Sequence, residues 1–187
     1  MSDDRLPEDI DAVSRLRGTF KLRSGESSNE YFDKYRFESH PALLRRVAQR
    51  ILRLLPDDTE ILAGLELGGV PIATAMSLES GLPVVFVRKK AKEYGTCQAV
   101  EGTDIRGRRT VLIEDVITTG GAVSGAAALV RATGADVIAV ACAIWRGEGL
   151  PRIAGEPNLP VFPAFTREDL QRSNVAQRSK VAVPVRG

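Results

Sequence analysis

The residues of this sequence best suited to chemistry are two adjacent carboxylates, followed closely by two threonines and two glycines. Glu114 and Asp115 end an apolar, β-branched run that is typical of a buried strand, and a Thr-Thr-Gly-Gly turn spans residues 118–121. This turn leads into a predicted helix, whose N-terminus carries partial positive charge and free backbone N–H groups that bind anions. Carboxylates accept hydrogen bonds from hydroxyl groups. The combination therefore predicts a binding site for a ribose 5-phosphate.

The spacing of this stretch differs from two common phosphate-binding motifs. A Walker loop would need Lys followed by Ser or Thr directly after the glycines, and none follows here. The dinucleotide fingerprint places its acidic residue after the glycines, whereas Glu114 and Asp115 precede them. An ordinary strand-to-helix turn of an α/β protein is the alternative interpretation.

Two further stretches are suited to binding phosphate oxygens. Gly68 and Gly69 follow an apolar run and would let the backbone approach a ligand closely, although a plain turn explains them equally well. Residues 88–92 gather four basic side chains directly after a predicted strand. Such crowding of like charge is costly unless an anion binds there. A solvated surface loop is the usual alternative, but the glycine turns on either side in sequence favour substrate binding.

An alternation of strand-like and helix-like segments must bring these stretches together. It predicts an α/β fold, with a mostly parallel sheet flanked by helices and a small N-terminal hood. We expect one domain over residues 1–187, with the hood mainly at 18–40, a mobile loop at about 89–107 and a loose tail at about 175–187. The predicted elements are helices over residues 5–17, 41–55, 72–80 and 122–132, strands over 20–25, 31–35, 61–65, 84–87, 111–113, 137–144 and 161–163, and a terminal helix starting at 166.

The composition is that of an ordinary globular chain. Of the 187 residues, 43% are hydrophobic and 27% are charged, and the net charge of +2 gives no reason to expect nucleic acid or membrane as a partner. The polar, acidic N-terminus lacks the apolar core of a signal peptide, and two cysteines do not make a disulfide framework. We therefore expect a cytoplasmic protein. One His and two Cys also leave little for a structural zinc site.

Several stretches together resemble the type I phosphoribosyltransferases. Residues 110–123 resemble the motif that binds phosphoribosyl pyrophosphate (PRPP) in that superfamily. Arg-Lys-Lys-Ala-Lys-Glu-Tyr-Gly-Thr at 88–96, Leu-Arg-Ser-Gly at 22–25 and Tyr-Phe-Asp at 31–33 narrow the resemblance to the orotate phosphoribosyltransferases. The resemblance covers residues 18 to about 150. It implies transfer of ribose 5-phosphate from PRPP to orotate in pyrimidine biosynthesis, with Mg²⁺ as cofactor, in a homodimer that exchanges the loop carrying Lys92.

The same resemblance implies roles for individual residues. The implied catalytic residues are Arg88, Lys89, Lys92 and Asp115. The implied PRPP-binding residues are Leu67, Gly68, Gly69, Arg88, Lys89, Lys92, Tyr94, Glu114, Asp115, Val116, Ile117, Thr118, Thr119, Gly120, Gly121 and Ala122. The implied orotate-binding residues are Arg23, Tyr31, Phe32, Thr118 and Arg146. Mg²⁺ is expected to be held mainly by PRPP and water, with Asp115 as the one candidate protein ligand.

Three positions depart from the family pattern, and two alternative functions remain open. Arg23 stands where many members have Lys, Tyr94 where some have His, and Trp145 where an Asp usually precedes the orotate-binding Arg. Trp145 leaves the geometry of base recognition open, so a phosphoribosyltransferase for purine or uracil is one alternative. A non-catalytic regulator that binds PRPP is the other. Tyr31 and Phe32 could also simply form the core of a hairpin.

Overall fold

The computed structural model describes residues 5–22, 25–90 and 98–172. Residues 167–172 form helical turns after the last strand, in agreement with the predicted terminal helix. Along the chain the elements are α1 (Leu6–Ser14), β1 (Arg15–Lys21), β2 (Ser27–Phe32), α2 (Tyr35–Glu38), α3 (Pro41–Leu52), β3 (Ile61–Leu65), α4 (Gly69–Ser80), β4 (Val84–Val87), β5 (Val100–Glu101), β6 (Arg109–Ile117), α5 (Gly121–Ala132), β7 (Asp136–Trp145) and β8 (Val161–Thr166).

A six-stranded sheet forms the centre of the molecule, in the strand order β5-β4-β3-β6-β7-β8. Strands β4, β3, β6, β7 and β8 are parallel to one another, and β5 pairs antiparallel with β4. Parallel strands are covered on both faces, which explains why β3 is an unbroken run of buried residues. The predicted α/β fold with a mostly parallel sheet flanked by helices is confirmed.

The sheet separates two apolar cores, because successive side chains of a strand point to opposite faces. Val111 and Ile113 of β6 belong to the core that includes residues of α1, α3 and α4. Leu112 lies between them in sequence and belongs to the core that includes residues of α5. The buried Ala126 and Ala127 of α5 are small, which lets this helix pack closely on the sheet. Residues 111–113 of β6 are thus packed into apolar cores on both faces of the sheet, and Glu114 and Asp115 follow directly in the same strand.

The N-terminal region differs from the predicted elements. The predicted helix over residues 5–17 ends at Ser14, and the strand predicted at 20–25 occupies Arg15–Lys21 instead. The predicted strand at 31–35 lies at Ser27–Phe32, and α2 follows it. Pairing between β1 and β2 decides this outcome: Arg15 bonds Glu30 across the hairpin, and the rings of Phe20 and Tyr31 lie 5.6 Å apart. Helical periodicity alone could not register these cross-strand contacts.

The remaining corrections concern element ends and one short strand. Helix α3 ends at Leu52 rather than 55, α4 begins at Gly69 rather than 72, and β7 extends to Trp145. The strand predicted at 161–163 continues to Thr166. Part of the predicted loop at 89–107 also forms β5, which is too short to show any periodicity in sequence. Across the described ranges, no helix is long and apolar enough to span a bilayer.

Substitution of Leu112 by Ala should lower the free energy of unfolding by about 2–5 kcal/mol, because it opens a cavity in a fully buried central strand. Leu78 of α4 is 83% exposed, so Leu78→Ala is a matched control that should change stability by only about 0.5 kcal/mol. Urea unfolding of both variants measures the difference. Equal losses at the two positions would contradict the assignment of β6 to the core.

Candidate active site

The carboxyl ends of the parallel strands meet at one edge of the sheet, called here the carboxyl edge. β6 and β7 pair in register up to Ile117 and Trp145, so Thr118 and Arg146 both follow at the same level. The backbone N–H of Arg146 donates to the carbonyl of Ile117 at 2.8 Å. The loops after β3 and β4 leave from the same edge. Ligands of open α/β sheets bind in this position.

The predicted phosphate loop lies between β6 and α5. Thr118 and Thr119 are exposed, and Gly120 has φ +79°, a left-handed conformation that favours glycine. α5 begins at Gly121, which is exposed together with Ala122. The free N–H groups of this first turn therefore face solvent, as an anion site requires. The two residues before Thr118 end β6 and differ from that threonine: Val116 is half-buried and the side chain of Ile117 is in the core, so Ile117 can offer a ligand only its backbone.

The second glycine loop packs directly on the acid pair. The peptide bond between Glu66 and Leu67 is cis, and Leu67 is 59% exposed. A Cβ atom on Gly68 would overlap the carboxylate of Asp115, and one on Gly69 would overlap the carbonyl oxygen of Ile113. These two glycines are thus required for the contact between this loop and β6, a packing reason that the sequence did not reveal.

Asp115 is held by groups from two separate parts of the chain. It is 1% exposed, and its Oδ1 accepts a hydrogen bond from the backbone N–H of Val116. Its Oδ2 forms an ion pair with the ammonium of Lys34, which lies between β2 and α2. Burial alone would lower the pKa of Lys34, but the hydrogen bond and charge of Asp115 outweigh it and raise that pKa. Lys34 was not among the predicted site residues.

A third carboxylate completes an acid cluster, which consists of Glu38, Glu114 and Asp115. Glu38 is 5% exposed, and neither of its carboxylate oxygens has a hydrogen-bond partner within the described residues. Burial, followed by the charge of Asp115, raises the pKa of Glu38 to about 8. The same two causes raise the pKa of Glu114 to about 8. The cluster therefore retains protons at pH values where isolated carboxyl groups have lost them.

Glu38 was also missed by the sequence analysis, although the sequence carried a signal. Lys34 and Glu38 are four residues apart, a spacing that places opposite charges on one face of a helical turn. Residues 31–35 were predicted as a strand, which would have separated these side chains. The helical turn of α2 instead directs both toward Asp115.

A cavity of about 420 Å³ opens beside the acid cluster, between the ends of β3, β4 and β6 and the start of α5. Glu66, Arg88, Lys89 and Glu114 bring both signs of charge to its wall. The Nε of Arg88 is buried and has no hydrogen-bond partner among the described residues, while the backbone N–H of Lys89 donates to Glu66 at 3.1 Å. Predicted site residues Lys92 and Tyr94 lie outside the described residues, as does Arg23.

The predicted base-binding residues differ in how exposed they are. Arg146 is exposed at the carboxyl edge, and Tyr31 is close enough for its charge to influence the pKa of Arg146. Tyr31 is 45% exposed, whereas Phe32 packs against the core. Phe32 therefore has a core role, while the ring of Tyr31 packs on Phe20 within the hairpin and remains partly open to solvent. Trp145 is 4% exposed and belongs to the core on the α5 face.

No group of three or more His, Cys, Asp or Glu side chains suited to a metal ion occurs in the part of the chain that the structure describes. Glu66 and Glu114 are nevertheless carboxylates on the wall of an open cavity that also carries cations. Such a wall fits Mg²⁺ that arrives with a diphosphate and retains water ligands.

Substitution of Glu38 by Gln should flatten the pH dependence of stability. A carboxyl whose pKa rises on folding binds more protons in the folded state, so the free energy of unfolding falls as pH rises from about 4.5 to about 8. Glu38→Gln removes one such group while keeping its shape, so the variant should gain stability relative to the wild type at pH 8 compared with pH 5. Urea unfolding at several pH values measures this change, with the exposed Glu168→Gln as control. Parallel stability curves for wild type and Glu38→Gln would contradict it.

Comparison with known proteins identifies the family. The phosphoribosyl transferase domain model matches residues 35–157. An orotate phosphoribosyltransferase from a Nocardioides species is 55% identical over 174 residues, which cover 93% of this chain and 97% of that protein. The structure of orotate phosphoribosyltransferase from Aeropyrum pernix matches with a TM-score of 0.78 at 26% identity, covering 91% of this chain and 98% of that one. The Mycobacterium tuberculosis enzyme in complex with PRPP matches with a TM-score of 0.74 at 27% identity, covering 90% and 98%. The chain therefore belongs to the phosphoribosyltransferase family and, within it, to the orotate phosphoribosyltransferases.

Proposed function

We propose that this protein transfers ribose 5-phosphate from PRPP to N1 of orotate, giving orotidine 5′-monophosphate and pyrophosphate in pyrimidine biosynthesis. The observation that carries the proposal is the register of β6 and β7, which sets the phosphate loop beside Arg146. A phosphoribosyl group and a carboxylated base can thus bind side by side. The similar relatives named above favour orotate over purine or uracil as the acceptor.

Each part of the site has a role in holding PRPP. The N–H groups of the phosphate loop and of the first turn of α5 bind the 5-phosphate. Glu114 and Asp115 accept hydrogen bonds from the ribose hydroxyls. Asp115 is 1% exposed and paired with Lys34, so Glu114 is the more accessible of the two. We expect Asp115 to reach the ribose only when Lys34 and its segment move aside.

Charge develops at two places during the reaction. The ribose C1 gains oxocarbenium character, while the leaving pyrophosphate gains negative charge. Arg88 and Lys89 line the cavity in which the pyrophosphate would lie, and cations placed there in advance lower the barrier. Lys92, Tyr94 and the backbone of Gly68 and Gly69 are the further proposed contacts. Glu66 and Glu114 on this wall would hold Mg²⁺, and the ion would add positive charge that stabilises the leaving group.

The base is proposed to lie between the hood and the carboxyl edge. Arg146 pairs with the carboxylate and carbonyl edge of orotate, and the exposed ring of Tyr31 covers its face. Arg23 completes the proposed orotate-binding set, whereas Phe32 packs against the core and supports the hairpin that carries Tyr31.

We also propose a cytoplasmic homodimer of single-domain chains, in which the loop carrying Lys92 closes over the partner's site. The described ends of that loop support part of this proposal. The backbone N–H of Arg88 donates to the carbonyl of Ala99 at 2.8 Å, and Val87 pairs with Val100, so the loop leaves and re-enters the sheet at one point. A loop anchored in this way can close without disturbing the sheet.

Substitution of Arg146 by Ala should raise the orotate KM roughly 100-fold and leave the PRPP KM nearly unchanged, because a bidentate charged contact is lost on one substrate only. Consumption of orotate with PRPP and Mg²⁺, followed by absorbance, measures both constants. The exposed Arg152→Ala in the following loop is the control. Equal losses for the two substrates would argue against a base-specific role, and an inactive wild type would overturn the proposed function.

Mixing two inactive variants tests the exchange of the loop between subunits. After Lys92→Ala and Asp115→Ala are dissociated and reassociated together, half of the dimers are mixed, and each mixed dimer has one intact site if the loop crosses. Activity should then recover to about a quarter of wild type. If Lys92 serves its own subunit, every site lacks one residue and activity stays near zero. That result, with mixed dimers verified by mass spectrometry, would refute the exchange.

A further inference from the structure

Two arginines stand side by side at the carboxyl edge, and only one of them has a role so far. β7 and β8 are parallel and pair Trp145 with Thr166 at their carboxyl ends, so Arg146 and Arg167 are the first residues after the two strands. Neighbouring strands lie about 4.8 Å apart, so the backbones of Arg146 and Arg167 are close together. Beyond the effect of burial, the charge of Arg167 is also near enough to Arg146 to lower its pKa, so both side chains are candidates for binding one small ligand. Because Ile117 pairs with Trp145, the order across the edge is Thr118, Arg146, Arg167.

The backbone of Arg167 is fixed by a reciprocal cap. The backbone N–H and the hydroxyl of Thr166 both donate to Oδ2 of Asp169, at 2.8 and 2.9 Å. The N–H of Asp169 donates back to the Thr166 hydroxyl at 3.3 Å. This arrangement sets where the helical turns of residues 167–172 begin, and it occupies the carboxylate of Asp169. Arg167 is therefore held in place without using that carboxylate as a partner.

The positive charges at this edge are not balanced. Partial burial lowers the pKa of Arg146, and the neighbouring charges of Arg167 and Arg15 lower it further. Arg15 is neutralised by Asp11 and Glu30. Within residues 5–22, 25–90 and 98–172, no ion pair joins Arg146 or Arg167 to a carboxylate. Two unpaired like charges held together are costly, and an anion bound between them relieves the repulsion.

We infer that Arg167 is a second specificity-determining arginine of the base site, which binds the carboxylate of orotate together with Arg146. The inference rests on the proposed function and extends it. Orotate carries its carboxylate on the carbon next to N1, so two guanidinium groups on that carboxylate orient N1 toward the ribose beside Thr118. Uracil lacks the carboxylate and gains nothing from Arg167. The pair thus selects for a charged pyrimidine.

The test compares Arg167→Gln with Arg172→Gln, a control on the same helical turns that is exposed in the same way. We expect Arg167→Gln to raise the orotate KM about tenfold or more, since it removes a charge-assisted contact. The PRPP KM and the inhibition constant of uracil as a competitor should stay within about twofold. Arg167→Lys should fall between wild type and Arg167→Gln, because it retains the charge but not the planar fork.

The possible outcomes separate this assignment from the proposed function. An unchanged orotate KM in Arg167→Gln, or equal changes for orotate, PRPP and uracil, would overturn the role of Arg167 while leaving the function intact. Absence of orotate turnover by the wild type would overturn both. Thermal unfolding of each variant shows whether the fold is kept, and the exposed position of Arg167 predicts that it is.

Discussion

Three carboxylates gathered in the protein interior require a positive charge, and this requirement ties the N-terminal region to the sheet. Asp115 is a buried residue of β6, and Glu38 and Glu114 lie within electrostatic range of it. Charges removed from water are tolerated only when they are paired or protonated. Lys34 supplies one ammonium, and the raised pKa values of Glu38 and Glu114 supply protons. The hood is therefore held in position by the same carboxylates that would receive the ribose.

The ion pair between Lys34 and Asp115 implies two states of the site, which differ in the partner of Asp115. Without substrate, Lys34 satisfies Asp115, and the ring of Tyr35 lies 5.2 Å from that ammonium. With the ribose bound, hydroxyl groups would satisfy Asp115, and Lys34 would need another partner or solvent. Tyr31 is located on the strand that leads directly to Lys34, so movement at the ribose position reaches the base position through only a few residues.

The sequence was most informative where one strong physical demand acts on a short stretch. β3 and β4 have the predicted bounds, because unbroken apolar runs between turn residues leave little choice. The phosphate loop also lies between β6 and α5 as its order of residue types indicated. Pairing between distant segments was not readable in this way. Leu16 of β1 had fitted a helical stripe, and only its pairing with Tyr31 shows that it belongs to a strand.

The least predictable parts of the candidate site are contacts between separate elements. Glu38 was not among the predicted site residues, and only the packing of α2 buries it beside Asp115. Gly68 was predicted to let the backbone approach a ligand closely. In the structure, a Cβ atom at this position would overlap the carboxylate of Asp115. The roles of such residues depend on contacts between distant parts of the chain. Residue types and spacing in a single sequence do not reveal these contacts.

The hydrogen bond between Arg88 and Ala99 has a geometric consequence for subunit arrangement. It fixes the point at which the chain between Arg88 and Ala99 leaves the sheet. Lys92 is four residues beyond Arg88, and a fully extended chain of four residues spans at most about 14 Å. A neighbouring subunit can therefore receive Lys92 only if its own acid cluster comes within roughly that distance, plus one side chain, of this anchor. Chain length alone thus restricts the two-fold arrangements that are compatible with a shared site.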